Sequence, residues 1–338
     1  MSRAVFEATA PCRVDLAGGT LDIWPVYLFH PGAVTLNVAI DRRAWCRVEL
    51  GGDGVEIESK DTLQKARGRD VSEVLEQGQL TLAAHVLRAL GVETGVRVVT
   101  QSRVPAGSGL GGSSALAVAI AGAVSRATGR ELPPEEIWPL TRDAEARAIG
   151  VPTGIQDYHP ALRGGALALH LEPGSVRVER LAADPARIEE SLVLIDAGAT
   201  RFSGINNWEV FKGQIDGEAR VREALAAIAG VAVRVHERLV AGSFEDVVDL
   251  VAEEWEARKR LAPGVTTPEI DRIVDVVRDA GGAAKICGAG GGGVVVAWAP
   301  PGERGPGRRE RVDAALKERG IRAFPARVDL RGLDVEEA

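Results

Sequence analysis

The glycine- and serine-rich run at residues 105–114, PAGSGLGGSS, has the most direct chemical meaning in this sequence. Four glycines between Gly107 and Gly112 remove side chains where a polyanion would have to approach the backbone. Ser113 and Ser114 stand where an alanine-rich helix is predicted to begin, and a helix start presents unpaired N–H groups and a partial positive charge. Serine hydroxyls there can cap the helix, bind phosphate oxygen or ligate Mg²⁺. The run predicts a phosphate-binding loop; the alternative is a plain capped turn before a core helix.

The common nucleotide fingerprints do not describe this loop. Gly107, Gly109 and Gly112 satisfy G-x-G-x-x-G, but the residues at 288, 290 and 293 satisfy it too. A dinucleotide-binding version needs an acidic residue about 20 positions further on, at the end of a second strand. Glu131 stands at that distance beside a pair of prolines that open a helix. A Walker A loop is excluded because the chain has no Gly-Lys-Ser/Thr triplet.

Two carboxylates and one arginine have side chains that could bind a metal, accept a proton or neutralise negative charge. Glu145 falls within a predicted helix, and Asp157 follows a turn rich in proline and glycine, where an acid can be aimed into a cleft. Arg13 falls on the first predicted strand and keeps its charge at all relevant pH values. The structural alternatives are a solvated helix face for Glu145, a turn or cap for Asp157 and an edge-strand surface position for Arg13.

The bulk composition restricts the class of protein. A length of 338 residues suffices for two domains, and 45% hydrophobic with 26% charged residues is typical of globular chains. The net charge of −7 argues against a nucleic-acid or anionic-membrane surface. The N-terminus lacks an apolar signal region, and no apolar run approaches the roughly 20 residues that span a bilayer. Three distant cysteines favour a reduced cytoplasm, and the five histidines are scattered without metal-ligand spacing.

The elements that must position these residues form an α+β pattern in two halves. Short Val- and Ile-rich segments predict strands, and apolar residues at helical spacing predict helices. The predicted strands are residues 5–14, 33–40, 44–50, 54–59, 95–101, 164–171, 191–196, 283–287, 294–298 and 323–328. The predicted helices are residues 79–90, 115–128, 133–149, 218–240, 244–261, 268–279 and 308–319. We expect a first domain over 1–185 and a second over 186–338.

Three segments together resemble the superfamily named after galactokinase, homoserine kinase, mevalonate kinase and phosphomevalonate kinase (GHMP). The central motif is Pro105-x-x-x-Gly109-Leu-Gly-x-Ser-Ser-Ala115, the N-terminal one is residues 10–22 (APCRVDLAGGTLD), and the C-terminal one is residues 285–293 (KICGAGGGG). They occur in the family's order and cover nearly the whole chain. The resemblance implies a first domain similar to domain 2 of ribosomal protein S5, a ferredoxin-like second domain, and ATP and Mg²⁺ as cofactors.

The resemblance also implies roles for individual residues. Asp157 would orient or deprotonate the acceptor hydroxyl, with Arg13 as the cation beside the transferred phosphate. Glu145 would bind Mg²⁺ together with a serine of the central motif, Ser114 as the candidate and Ser113 as the alternative. The implied nucleotide-binding residues are Pro105, Gly107, Ser108, Gly109, Leu110, Gly111, Gly112, Ser113 and Ser114. The implied substrate-binding residues are Gly19, Thr20, Asp22, Gly290 and Gly291.

The N-terminal motif bears on the acceptor. Galactokinases have Gly-Glu-His-Thr-Asp-Tyr where this chain has residues 18–23, GGTLDI, and mevalonate-type enzymes have Pro-Gly-Lys where it has Pro11-Cys12-Arg13. The motif is more similar to bacterial kinases that phosphorylate the anomeric hydroxyl of heptose 7-phosphate, although those have three glycines before Thr-Asp. We therefore expect a small-molecule sugar or sugar-phosphate acceptor, with no nucleic-acid or membrane partner. A homodimer is compatible with the sequence, which does not fix the oligomeric state.

Three alternatives share the fold. A mevalonate-type kinase would phosphorylate an acid instead of a sugar, and a diphosphomevalonate-type decarboxylase would release carbon dioxide. A binding or regulatory relative would bind nucleotide without turnover. Arg13, Glu145, Asp157 and the glycine loops disfavour this last reading, because a relative without catalysis does not need all of them.

Overall fold

The fold is mixed α and β, as expected, in a computed structural model that describes residues 5–198, 204–302 and 307–338. The strands are β1 (Val5–Ala17), β2 (Val34–Leu50), β3 (Val55–Ser59), β4 (Gln64–Gly68), β5 (Val96–Ser102), β6 (Ala166–Glu172), β7 (Ser175–Arg180), β8 (Leu192–Asp196), β9 (Ala283–Ile286), β10 (Val294–Trp298), β11 (Ala323–Phe324) and β12 (Asp334–Glu337). The helices are α1 (Val71–Glu76), α2 (Thr81–Ala89), α3 (Gly112–Ala127), α4 (Pro134–Ile149), α5 (Tyr158–Arg163), α6 (Pro185–Ser191), α7 (Gly204–Asp216), α8 (Ala219–Val240), α9 (Val247–Arg258), α10 (Pro268–Asp279) and α11 (Arg308–Glu318).

Two sheets organise the chain. The larger has the order β12-β1-β2-β5-β3-β4, and β2 also pairs with β6, which continues to β7. The smaller has the order β11-β8-β10-β9. Strand β2 was predicted as two strands, 33–40 and 44–50, but it is continuous. The register against β1 shifts between Pro11 and Cys12, and this bulge accommodates the polar residues 41–43 without ending the strand.

Strand β1 has two chemically different faces. Cys12, Val14 and Leu16 belong to the hydrophobic core, where helix α3 packs against β1 and β2. Successive side chains of a strand point to opposite faces, so Arg13 and Asp15 lie on the other side. Helix α3 is buried along nearly its whole length, which confirms its prediction as a core helix. The core therefore fixes both the start of α3 and the polar face of β1.

The end of the described chain returns to the first sheet. Strand β12 pairs antiparallel with β1, with Phe6 opposite Glu337 and Thr9 opposite Asp334. Arg43 on β2 forms an ion pair with Asp329 and donates a 2.5 Å hydrogen bond to the carbonyl of Gly332. Sequence reasoning missed β12, since an acidic four-residue segment shows no alternation of apolar residues. A division of the chain at residue 185 stays a prediction.

Long amphipathic helices in the second half cover both sheets. Helices α8 and α9 pack against each other, and α9 also packs against β9. Within the described ranges, no helix combines the length and apolar character needed to cross a membrane.

Candidate active site

A cavity of about 530 Å³ lies between the start of α3, the polar face of β1 and the end of α9. Most of the predicted site residues line it, which places them in one cleft. These are Arg13, Thr20, Asp22, Pro105, Gly107, Ser108, Gly109, Gly111, Gly112, Ser113, Glu145 and Asp157. Leu110 instead packs in the core, and Ser114 lies buried behind the wall.

The glycine loop is clamped against the second half of the chain. Gly109 has φ +79°, and a Cβ there would collide with the carbonyl of Cys287. The backbone N–H of Val294 donates to the carbonyl of Ser108 at 3.0 Å. The second glycine run, residues 288–293, therefore lies beside the first. The close approach requires glycine at position 109, because a side chain there would push the two segments apart.

The start of α3 holds an oxygen-rich cluster around Glu145. Its two carboxylate oxygens accept hydrogen bonds from the hydroxyls of Ser113, at 2.5 Å, and Ser114, at 2.6 Å. The hydroxyl of Tyr158 donates to the same carboxylate at 2.5 Å. Burial raises the pKa of Glu145, and the three hydroxyl donors offset only part of that effect. A divalent cation would relieve this burial of charge, so Glu145 with a serine hydroxyl fits the oxygen ligands that Mg²⁺ prefers.

Asp157 and Arg13 form an ion pair beside this cluster. Arg13 also donates to the carbonyl of Gly109 at 2.5 Å, and its backbone N–H donates to the carbonyl of Leu110 at 2.9 Å. Burial lowers the pKa of Arg13, but the charges of Asp157 and Asp15 outweigh it and keep the pKa above its usual value. The guanidinium is therefore a fixed positive charge next to the glycine loop.

The carboxylate of Asp157 reaches the helix start because Gly111 has no side chain. Gly111 has φ +70°, and a Cβ there would lie 3.2 Å from the carboxyl group of Asp157. The hydroxyl of Ser114 lies 3.3 Å from Oδ2 of Asp157. Ser114 thus connects Glu145 and Asp157, the two acids proposed for metal and acceptor.

The two carboxylate oxygens of Asp22 differ in their hydrogen bonding. Its Oδ2 accepts backbone hydrogen bonds from Ile155 at 2.6 Å and Gln156 at 2.9 Å. Its Oδ1 is buried, and nothing in the described parts of the chain donates a hydrogen bond to it. Burial raises the pKa of Asp22 to about 6, although the two backbone donors lower it. A buried acceptor atom without a donor is costly, which makes Oδ1 a natural partner for a ligand hydroxyl.

A buried group of four charges, Asp15, Glu254, Arg258 and Lys285, is here named the charge quartet. Asp15 and Arg258 form part of the cavity wall. The Lys285 ammonium lies 3.2 Å from Oδ1 of Asp15 and 2.9 Å from Oε1 of Glu254. Arg258 lies 2.6 Å from Oε1 of Glu254 and 3.6 Å from Oδ2 of Asp15. Burial raises the pKa of Asp15, but the neighbouring cations lower it by more, so the pKa lies below its usual value. Two acids and two bases compensate each other, which burial requires.

The charge quartet also touches the N-terminal motif directly. Arg258 donates to the carbonyl of Gly19 at 3.0 Å and to the hydroxyl of Thr20 at 3.3 Å. Gly19 and Thr20 are predicted substrate-binding residues, and Thr20 lines the cavity. Helix α9, from the second half of the chain, therefore fixes the turn that places Thr20 in the cavity wall.

Some of the predicted substrate-binding residues lie outside the cavity wall. Gly290 and Gly291 are not part of the cavity wall; Gly291 instead donates to the carbonyl of Val265 at 3.0 Å, while Gly288 belongs to the wall. Asn207, on α7, also lines the cavity.

Sequence reasoning missed the charge quartet as a unit. Lys285, the first residue of the C-terminal motif, is fully buried. The available signals were the spacing of Glu254 and Arg258, which places them on one face of a helix, and the alternation of Arg13 with Asp15. Neither spacing alone distinguishes a buried pair from a solvated one.

A second cavity, of about 430 Å³, adjoins the first. Asp22, Pro152 and Thr153 line both cavities. The far side of the second cavity carries Trp24, Tyr27, Trp138 and Arg142. The space beyond Asp22 is therefore walled by aromatic rings and by the paired side chains of Arg142 and Asp143.

Comparison with known proteins agrees with this site. The family model "GHMP kinases N terminal domain" matches residues 79–165, and "GHMP kinases C terminal" matches residues 235–321. Together they match just over half of the chain, on either side of the cavity. The chain belongs to the GHMP kinase family, has its two-domain fold, and is a kinase. Kinases of this family are ATP-dependent and generally use Mg²⁺.

Individual relatives differ in their acceptors. A mevalonate kinase of Thermococcus sibiricus is 29% identical, with 98% of each chain covered. A D-glycero-alpha-D-manno-heptose 7-phosphate kinase of Campylobacter jejuni is 27% identical, over 92% of this chain and 93% of the relative. Among solved structures, a D-glycero-D-manno-heptose 1-phosphate kinase from Bacteroides thetaiotaomicron superposes with a TM-score of 0.76 at 24% identity, covering 98% of this chain and 99% of that one. At this identity, the superposition shows the shared fold.

Proposed function

We propose that this kinase transfers the γ-phosphoryl group of ATP to a hydroxyl of a sugar or sugar phosphate, at the anomeric position, as a heptose 7-phosphate kinase does. The observation that carries the proposal is the placement of Asp157 and Arg13 between the glycine loop and Asp22. The loop and the start of α3 offer backbone N–H groups to phosphates. Asp22 offers a free carboxylate oxygen to an acceptor hydroxyl.

The proposed transfer uses these residues in distinct roles. Asp157 accepts a hydrogen bond from the acceptor hydroxyl and takes its proton as the new O–P bond forms. The bond between the γ-phosphorus and the β–γ bridging oxygen breaks, and ADP leaves with that oxygen. Arg13 stabilises the negative charge on the transferred group from a site that needs no reorganisation.

Mg²⁺ would be held by Glu145 and Ser114, with Ser113 as the alternative ligand. The ion would neutralise charge on the donor phosphates. Ser114 is supported as the primary ligand because it is buried and contacts both acids, Glu145 and Asp157. Ser113 contacts Glu145 and lines the cavity.

The acceptor end favours a hydroxylated ligand over a carboxylate. Oδ1 of Asp22 is an acceptor that requires a donor, and a ligand carboxylate next to it would be repelled. The second cavity extends the space beyond Asp22, where aromatic rings can cover the apolar face of a sugar and Arg142 can meet a distal phosphate. Arg142 already pairs with Asp143, at 2.7 Å, so a phosphate there would share the guanidinium.

A mevalonate-type acceptor is the second candidate. The mevalonate kinase of Thermococcus sibiricus and the heptose 7-phosphate kinase of Campylobacter jejuni are about equally similar to this chain, so identity does not separate them. Arg258 lines the cavity and offers a guanidinium to a ligand carboxylate. This second function requires that guanidinium to leave part of the charge quartet.

An acceptor screen separates the candidates. ADP release is measured with ATP and Mg²⁺ across free sugars, sugar phosphates and mevalonate-type acids, and ³¹P NMR locates the new phosphate. We expect turnover on a sugar or sugar phosphate with phosphate on the anomeric oxygen. Turnover confined to acids would refute the sugar assignment, and carbon dioxide release would identify a decarboxylase. Phosphate on a primary hydroxyl would leave the sugar assignment in place and change only the hydroxyl that is phosphorylated.

A matched pair of variants tests the role of Asp157. Asp157→Asn removes the proton acceptor and is expected to lower kcat by about 10²–10⁴-fold. Asp313→Asn, on the exposed face of α11, is the control and should leave kcat unchanged. Near-wild-type turnover of a folded Asp157→Asn variant would remove this residue from the mechanism.

A further inference from the structure

Outside the kinase cavity, His170, Glu179 and His236 form a compact cluster, here named the histidine cluster. Nε2 of His170 lies 2.7 Å from Oε2 of Glu179, and Nε2 of His236 lies 3.1 Å from Oε1 of the same carboxylate. One ligand atom from each residue can be chosen so that all three lie within 4.8 Å of one another. Across residues 5–198, 204–302 and 307–338 this is the one group of three such side chains.

The fold brings the cluster together from three elements. His170 on β6 pairs with Arg177 on β7, and Ala168 pairs with Glu179. Directly opposed residues share a face of a hairpin, so His170 and Glu179 are diagonal neighbours on one face. His236 comes from helix α8, and its ring meets that of His170 edge to face at 5.4 Å. The sequence gives no metal-binding spacing because 66 positions, from 170 to 236, separate the two histidines.

We propose that the histidine cluster binds a first-row divalent transition-metal cation such as Zn²⁺. Two imidazole nitrogens and one carboxylate are a ligand set that zinc uses with an open fourth position for water. Metal–ligand bonds of about 2.0–2.2 Å place tetrahedral ligand atoms about 3.4 Å apart. The 2.7 and 3.1 Å contacts would open only slightly to reach that separation.

The electrostatics of the cluster suit a cation. Each oxygen of the Glu179 carboxylate faces one imidazole nitrogen. A cation between the three side chains would therefore meet one carboxylate and two nitrogen ligands. Arg177, 3.6 Å from Oε2 of Glu179, is a competing cation, but its side chain is 57% exposed and can move away.

The exposure of the histidine cluster would let a metal ion enter, and its position would let the ion cross-link two parts of the fold. The side chains of the three residues are 20–30% exposed, which leaves an entry path and room for a water ligand. The ion would join the β6–β7 hairpin, which belongs to the larger sheet, to helix α8 in the second half of the chain. None of the three residues lines the kinase cavity. Metal binding is therefore expected to raise the thermal midpoint without being required for phosphoryl transfer.

The test uses the full chain without a histidine tag, stripped with a chelator and titrated with Zn²⁺ in excess Mg²⁺. Calorimetry should show one equivalent bound, and Co²⁺ in place of Zn²⁺ should give the intense visible absorption of tetrahedral coordination. His236→Gln and Glu179→Gln should each weaken binding by at least about tenfold. His85→Gln, on helix α2, is the matched control and should retain the site.

Three outcomes would overturn the proposal: no saturable Zn²⁺ binding, unchanged affinity in both variants, or an octahedral Co²⁺ spectrum. If His236→Gln fails to fold, the partly exposed Glu179→Gln decides alone. The kinase assay of the stripped protein with Mg²⁺ is independent of this result, because it reports on the other site.

Discussion

The charge quartet gives the sharpest quantitative test of the structure. Glu254 is fully buried and faces both Lys285 and Arg258 through one oxygen. At an effective dielectric constant of about 20, each contact near 3 Å is worth roughly 5 kcal/mol of attraction. Desolvation of the carboxylate offsets several kcal/mol of that sum. Glu254→Gln would leave two buried cations facing one acid, so we expect the free energy of unfolding to fall by about 3–5 kcal/mol.

A double variant separates charge balance from packing. Lys285→Met alone leaves two acids facing one base, and we expect it to cost about as much as Glu254→Gln. Combining the two changes restores neutrality, with Asp15 still beside Arg258. The double variant should therefore lose at least about 2 kcal/mol less than the sum of the single losses.

The assay is urea unfolding followed by tryptophan fluorescence, for which Trp255 on the same helix is a buried reporter. Glu256→Gln is the matched control, two positions from Glu254, with a side chain that is 70% exposed. Its pair with Lys259 is a surface contact worth at most about 1 kcal/mol. Equal losses for Glu254→Gln and Glu256→Gln, or strict additivity in the double variant, would refute the reasoning.

Three further predictions concern the cavity. Because burial raises the pKa of Asp22 to about 6, the stability that its protonated form contributes is lost as the pH rises from about 4 to about 7. Asp22→Asn should therefore gain stability over the wild type across that range, by on the order of 3 kcal/mol, and parallel pH profiles of the unfolding free energy would contradict this. Ser114→Ala should raise the Mg²⁺ concentration for half-maximal activity by about tenfold or more, and Ser113→Ala by less; the reverse order in Mg²⁺ titrations would exchange their roles. Gly109→Ala should cost about 1–3 kcal/mol and raise the KM for ATP, because its backbone is left-handed and meets the carbonyl of Cys287; wild-type kinetics and melting would argue against the clamped loop.

The residues predicted for phosphate, metal and transfer are largely those that the fold brings to one cleft. Local rules suffice for Ser113 and Ser114, because a glycine run before an apolar helix fixes where a helix starts. Glu145 and Asp157 lie outside the three family motifs. Their roles could be assigned only through the family resemblance, since an isolated acid on a helix or turn is equally typical of a surface.

The missed features depend on contacts between distant parts of the chain. Glu254 and Arg258 show the same spacing as a solvated helical pair, and only the tertiary structure buries them. Strand β12 is short and acidic, and it is a strand because β1 offers an unpaired edge. The histidine cluster likewise depends on the pairing of β6 with β7 and the docking of α8.

The pairing of β12 with β1 also has a consequence for biosynthesis. Among the described strands, β1 is the first to leave the ribosome and β12 is the last, yet they are neighbours in the sheet. Until β12 emerges, residues 6–9 of β1 present the unpaired edge of a nascent sheet, which other chains could capture. The edge of the strand that carries Arg13 is therefore paired only after residues 334–337 have been synthesised, so a chain truncated before them would leave this edge exposed.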